Sequence, residues 1–298
     1  MERRTFLQTS VAVLTLLPHP VLKALPRPSG LRFGMITDLH YADRPTTEGG
    51  SRYYRQSLGK LREAVDLMNG KRLHFMIELG DLKDQSAQPS EEETLHFLKT
   101  IESEYAQFNG PRHYVLGNHD HDSISKEQFL QHIQTGTDIE AKNYYSFTKN
   151  GYHCIILDSN YSSDGRPYDK GDFDWTDAFI PQEQTDWLRE ALSNTELPAL
   201  VFVHHRLDNL GELAKMGPSN SEAVRQILEE SRKVLAVFQG HHHAGGLQTI
   251  NNIHYYTLKA VVEGDGLENN NYAIVEVDAD EEIKIKGYRK TDSTVLGS

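Results

Sequence analysis

The 298-residue chain predicts an α/β protein built on a mixed sheet or a pair of sheets. Three features carry that expectation. Five hydrophobic, strand-like runs each end in carboxylate, amide or imidazole side chains. Amphipathic helical segments alternate with those runs. From residue 247 onward the pattern turns to β alternation without helices.

The elements follow in order. Leu31 to Ile36 reads as a strand that delivers Asp38 and His40. Side chains two apart on a strand share a face, so both are expected to point the same way. Residues 52–69 read as a helix, with Leu58, Leu61, Val65 and Met68 at a spacing near 3.6 and Gly70 as its stop. Leu73 to Leu79 is a second strand, ending in Gly80 and Asp81. After a polar loop from Asp84 to Ser90, residues 91–108 read as a helix with acidic residues in its first turn. His113 to Gly117 is a third strand, followed by Asn118, His119 and Asp120. A short helix is expected over 126–133. Asn150-Gly151 between the runs 144–148 and 153–157 is a hairpin signal.

The loop over 159–179 is long and rich in Gly, Asp, Tyr and Trp. Loops of that length are functional or mobile in compact domains, and this one is a candidate substrate lid. Pro181 opens a helix to Leu192. Leu200 to Val203 is a fourth strand, ending in His204 and His205. A helix over 221–230 has Ser219, Asn220 and Ser221 as candidate caps. Val234 to Phe238 is a fifth strand, ending in His241, His242 and His243. Residues 247–262 and 272–288 alternate in the β manner. Gathering polar residues at one end of several strands is how an α/β sheet assembles a site.

Composition bounds the function. A net charge of −12 disfavours binding to duplex nucleic acid, so no nucleic-acid partner is expected. The single cysteine, Cys154, sits in an apolar run and reads as a buried strand residue. At the start, Arg3-Arg4, Phe6-Leu7 and the short apolar stretch Val11 to Leu17 resemble a twin-arginine export signal. The stretch is too short for a stable membrane anchor. Residues 1–29 are therefore expected to be signal and linker, 30–298 the functional domain. The export machinery becomes a partner, and the location periplasmic or secreted. Export in the folded state suits a protein that loads metal beforehand.

Seven donors stand at the strand ends: Asp38, His40, Asp81, Asn118, His204 or its neighbour His205, His241 and His243. All are nitrogen or oxygen ligands, which suits Mn, Fe or Zn rather than a soft metal. Seven are too many for one tetrahedral ion and suit two divalent ions sharing a carboxylate. Such ions, roughly 3.5–4 Å apart, hold a hydroxide and clamp a substrate's oxygens. They also supply the positive centre that an acidic protein needs to attract phosphate.

Asp38-x-His40, Gly80-Asp81, Gly117-Asn118-His119-Asp120, His204 and Gly240-His241-x-His243, in this order, resemble the calcineurin-like metallophosphoesterases. The likeness spans residues 31–288. It implies a four-layer αββα sandwich and a small phosphorylated substrate. It also implies that Asp38, His40, Asp81 and His243 hold one ion, and Asp81, Asn118, His204 and His241 the other, with Asp81 bridging. His204 is preferred to His205 because the family uses the first His of such a pair. His119 is implied as the group at the leaving oxygen, with Asp120 as the carboxylate that holds it protonated. Strand alternation puts His241 and His243 on one face and turns His242 away. Arg206 stands where the family often has proline, and is a candidate phosphate contact. Arg52 and Arg55, in the stretch Arg52-Tyr53-Tyr54-Arg55-Gln56-Ser57-Leu58, are two more. With Tyr41-Ala42-Asp43 and Ala244-Gly245-Gly246, that stretch resembles the branch of manganese-dependent ADP-ribose/CDP-alcohol diphosphatases and their bacterial relatives. Some members of that branch carry Gln where this chain has His40. The expected activity is hydrolysis of a phosphate ester or pyrophosphate bond at neutral to mildly alkaline pH. The rivals are a non-catalytic binding protein on the same fold and a nuclease of the same superfamily.

Overall fold

A computed structural model describes residues 29–136 and 142–297; the twin-arginine segment lies outside the described residues. In chain order the elements are β1 (Leu31–Ile36), α1 (Ser57–Asn69), β2 (Phe75–Glu78), α2 (Glu91–Tyr105), β3 (Arg112–Tyr114) and α3 (Lys126–His132). Then come β4 (Tyr145–Lys149), β5 (Tyr152–Ile156), α4 (Gln182–Ser193), β6 (Ala199–Phe202), α5 (Ser221–Ser231) and β7 (Val234–Gln239). Five strands close the chain: β8 (Gly246–Ile250), β9 (Ile253–Thr257), β10 (Asn271–Val277), β11 (Ile283–Arg289) and β12 (Thr294–Leu296).

They form two six-stranded sheets, ordered β12-β11-β10-β1-β2-β3 and β4-β5-β6-β7-β9-β8. Both are mixed. β1, β2 and β3 run parallel, as do β5, β6, β7 and β9. The period-2 pattern sorts each strand's side chains between two cores. Phe33, Met35, Phe75, Ile77, Phe202 and Phe238 fill the space between the sheets. Ile36, Met76 and Tyr114 face the other way, under Leu61 and Val65 of α1, Leu98 and Ile101 of α2 and Phe129 of α3. Val201 and Val237 pack under Leu188 of α4 and Val224 and Leu228 of α5. The result is an αββα sandwich.

Local chemistry sets the element ends. Asn150 and Gly151 adopt φ of 51° and 85°, both left-handed, as the two-residue hairpin between β4 and β5 requires. The Ser90 side chain caps α2 by accepting from the Glu93 N–H, and α3 opens on a capping box of Ser125 and Gln128. The helix expected from residue 52 starts later, as a 3-10 turn over Tyr54–Gln56 that runs into α1. The Tyr53 N–H donates instead to the Val262 carbonyl, and Arg52 forms a β-bridge with Glu263. Asn220 precedes α5 without a side-chain cap, because its amide is spent on both backbone groups of Ile180. The run 258–262 extends no strand. It laces the two sheets together: Ala260 N–H bonds to the His243 carbonyl, and Val261 and Val262 to those of Thr37 and Asp38. The ends of β7 and β1 are thereby held side by side.

Candidate dimetal site

Parallel β1, β2 and β3 point their C-terminal ends toward those of β6 and β7, and the loops there carry the expected donors. Left-handed backbone turns four of the seven donors inward. Asp38, His40, Asp81 and His241 have φ of 52°, 46°, 60° and 65°. Such values are uncommon for residues with a Cβ and cluster at functional sites. The chain must also approach itself closely. A Cβ on Gly117 would lie 2.2 Å from the Asp81 nitrogen and 2.3 Å from its Oδ1, so only glycine fits there.

Five of the seven side chains are anchored through one atom and leave another free. Asp38 Oδ2 accepts from Thr37 Oγ1 at 2.7 Å and from the His241 N–H at 3.1 Å, which leaves Oδ1 facing the site. Asp81 Oδ1 accepts from the His119 N–H at 2.7 Å. Asp81 Oδ2 then lies 3.5 Å from His40 Nε2 and 3.2 Å from His204 Nε2. Three imidazoles are oriented through Nδ1: His40 by Asp84 at 3.3 Å, His204 by the Leu79 carbonyl at 2.8 Å and His243 by Glu263 at 2.5 Å. Their Nε2 atoms converge, with those of His40 and His243 3.2 Å apart. Two of the resulting groups of ligand atoms, Asp38-His40-His243 and Asp81-His204-His241, take in the expected donors, with Asp81 Oδ2 facing both; two more bring in His119, with His40 and Asp81 and with Asp84 and Asp122.

Burial and charge act against each other here. Burial alone would raise Asp38 and Asp81, but the imidazoles beside them hold both carboxyls well below the usual range. Burial would lower His204 and His243. Asp81 and Asp38 outweigh it, and both imidazoles are pushed up to about 9. His241, buried and next to His205 and His204, is held well below its ordinary value. Among the buried polar atoms without a hydrogen-bond partner are four on the expected donors: Asp38 Oδ1, Asn118 Oδ1, His204 Nε2 and His241 Nε2. Buried polar atoms are nearly always satisfied, so four such atoms gathered at one site fit the coordination of a cation. The nitrogen and oxygen donor set fits two divalent ions of the Mn, Fe or Zn kind.

A model of the calcineurin-like phosphoesterase family matches residues 31–245. The chain belongs to the calcineurin-like phosphoesterases. It is a metal-dependent phosphohydrolase, and its sheets and flanking helices are the metallophosphoesterase sandwich. A manganese-dependent ADP-ribose/CDP-alcohol diphosphatase from Oryza sativa subsp. japonica is 25% identical over 282 residues, which cover 82% of this chain and 87% of that one. One from Arabidopsis thaliana is 27% identical over 274 residues, covering 78% and 86%. The crystal structure of a dimetal phosphatase from Danio rerio superposes with a TM-score of 0.74 at 22% identity, covering 89% of this chain and 98% of that one.

In this phosphoesterase the donors border a cleft of about 580 Å³, lined by His40, Asp81, Asn118, His119, His241 and His243 together with Arg52, Trp175, Met216, His242 and Ala244. The expectations for the other residues divide. His204 stands beside Asp81, whereas His205 bonds to Ser159 at 2.8 Å and is held near 3 by burial. His119 sits on the cleft wall, but its carboxylate is not Asp120. Asp120 accepts four backbone N–H groups, those of Asp81, Leu82, Lys83 and Gly117, and so fixes the loop that carries Asp81. The partner of His119 Nδ1 is Asp122, at 2.6 Å. The difference is geometric: in the 3-10 turn His119–His121 a residue meets its i+3 neighbour, not its i+1 neighbour. Burial would lower His119, but Asp81, Asp122 and Asp84 raise it to about 9.

Of the three arginines, only Arg52 reaches the cleft. Arg55 is exposed and bonds to Asp43 at 2.5 Å. Arg206 is buried, clamped by both oxygens of Asp208, and its Nη1 lies 3.2 Å from His242 Nδ1. His242 is not turned away, because β7 ends at Gln239 and the histidines lie in a turn. The orienting carboxylates Asp84, Asp122 and Glu263 went unmarked in the sequence. Asp84 and Asp122 each follow a ligand motif by three or four positions, a usable signal. Glu263 has none, since only the lacing run brings it to His243.

Proposed function

We propose that this phosphoesterase splits the diphosphate linkage of a nucleoside diphosphate joined to a sugar or alcohol, with two divalent ions, manganese foremost. The observation that carries the two-ion reading is Asp81 Oδ2, which faces His40 Nε2 at 3.5 Å and His204 Nε2 at 3.2 Å. The named activity of the rice and Arabidopsis relatives supports the substrate class. Asp38, His40, Asp81 and His243 would hold one ion, and Asp81, Asn118, His204 and His241 the other. Bound there, the pair supplies a nucleophile from water near neutral pH and offsets the charge of the phosphates.

The chain's own residues do the rest. The N–H of His119 anchors Asp81 while its ring lies on the cleft wall. With Nδ1 bonded to Asp122, Nε2 is the nitrogen left to give a proton to the leaving oxygen. Arg52, 3.9 Å from Glu263, is the one Arg or Lys lining the cleft among the described residues, placed to meet an incoming phosphate. The Asn118 amide brings a neutral donor to a site already rich in charge.

The test is turnover of ADP-ribose and CDP-glycerol by the full chain with Mn²⁺, beside p-nitrophenyl phosphate. The expected products of ADP-ribose are AMP and ribose 5-phosphate, at a kcat/KM well above that for p-nitrophenyl phosphate. A preference for the monoester would sink the substrate class. His119→Ala is expected to keep its metal and lose about 10²–10⁴-fold in kcat. Loss of metal in that variant would make His119 a ligand instead. The Arg3-Arg4 pair supports export: Arg3→Lys/Arg4→Lys is expected to stay in the cytoplasm on cell fractionation, where the unmodified chain leaves it.

A further inference from the structure

Trp175 stands on the cleft wall, 44% exposed. No other Trp, Phe or Tyr among the described residues is classed as exposed. Its ring centroid lies 5.6 Å from that of His241, and Met216 lines the same wall. Leaving an indole face in water beside a polar centre forgoes its burial, which marks it as a surface that something covers.

The loop beneath it is built to hold that ring. Asp174 Oδ1 accepts from the Thr176 N–H at 2.9 Å and from its hydroxyl at 2.7 Å, forming a tight turn around Trp175. The Tyr168 hydroxyl donates to the Asp174 carbonyl at 3.0 Å. Tyr168 is fully buried and stacks on Phe173, with centroids 4.4 Å apart and planes within 11°. The 159–179 loop is thus a fixed wall in this structure, and Trp175 is presented without reordering. The surface on the His243 side of the cleft differs in chemistry. A groove of about 520 Å³ shares His243 and Ala244 with the cleft and is lined further by Lys259, Glu263, Asn269, Asn271 and Lys290, with no Phe, Tyr or Trp.

We propose that Trp175 is the platform on which the base of a nucleotide substrate stacks, while its phosphates lie at the Asp81 cluster and the remaining sugar or alcohol extends past His243. This rests on the diphosphatase reading above and adds a direction of binding and a residue that selects for the base. Stacking on an aromatic face is tolerant of base identity, so adenine and cytosine substrates would both be accepted.

The test is calorimetric titration of the full chain, loaded with Mn²⁺, with AMP and with ribose 5-phosphate. Both carry one phosphate on a ribose, and only AMP carries a base. AMP is expected to bind about tenfold or more tighter, and to quench tryptophan fluorescence. In Trp175→Ala that gap should shrink to less than about threefold with the quench lost, and Trp175→Phe should restore most of the gap. Equal binding of the two ligands to the unmodified protein would overturn the proposal, as would equal weakening of both in Trp175→Ala. Should ADP-ribose not be hydrolysed while the gap still depends on Trp175, the diphosphatase reading falls and the base site stands. Turnover of ADP-ribose with no such gap is the reverse case.

Discussion

At the residue scale, the site depends on which atom of each side chain is left free. Glu263 holds His243 through Nδ1, so Glu263→Ala is expected to weaken divalent-ion binding about 10–100-fold, measured by titration with Mn²⁺. Unchanged affinity would mean that the contact does not orient the ring. Asp122 holds His119, which is not placed among the ligands. Asp122→Ala is expected to keep two ions per chain and lower kcat about tenfold. The protons of the ion-free chain give a pH signature. His204 and His243 are raised to about 9, so their contribution to stability is full below about 6.5 and is lost as pH rises through about 9. Asp38 and Asp81, held low, lose theirs only in strong acid. The melting temperature of ion-free protein is therefore expected to fall between pH 6.5 and 9. Divalent ions need those nitrogens without protons, so binding in that window releases protons. Calorimetry in two buffers of different ionisation enthalpy would reveal the release; identical heats would argue against it.

At the element scale, strand ends and glycines place the donors. Gly117→Ala is expected to expel Asp81 from its position and abolish binding of both ions, by the 2.2 Å approach of the new Cβ. Gly59 is the contrast. It lies within α1 with nothing within 4 Å of a built Cβ, so Gly59→Ala is expected to stabilise by about 0.5–1 kcal/mol, seen as a raised melting temperature. The elements themselves were largely legible. Strands β1, β2, β6 and β7 showed as apolar runs that stop at polar residues, and Asn150-Gly151 fixed its hairpin. What failed was the rule that residues two apart share a face. It singled out His241 and His243, which do line the cleft, yet neither they nor Asp38 and His40 lie on a strand. All four lie past the strand ends, with Asp38, His40 and His241 in left-handed backbone, where alternation has no force. The start of α1 and the reach of residue 262 were hidden for a related reason, since each is decided by a backbone partner about 200 positions away.

At the scale of the molecule, two sheets that share one core bring the two halves of the site together. Phe33, Phe75, Phe202 and Phe238 meet between them, with Phe33 5.6 Å from Phe202 and 5.5 Å from Phe238. Phe202→Ala is expected to destabilise by about 3–5 kcal/mol in denaturant unfolding and to weaken ion binding as well, because β6 carries His204. The α/β class was legible, and so were the seven donors, because chemistry gathers at strand ends. The pairing across the sheets, such as that of His40 with His243 203 positions on, followed from the family likeness alone, because the residues themselves meet only through packing. Asp81 Oδ2 faces donors of both groups, so the two-ion proposal depends on that carboxylate. The direct measurement is the count of Mn²⁺ bound per chain, by equilibrium dialysis with metal analysis, in the unmodified protein and in Asp81→Ala. Two ions per chain, with both weakened in the variant, is the expected result. One ion in the unmodified protein, or loss of a single ion in the variant, would contradict it.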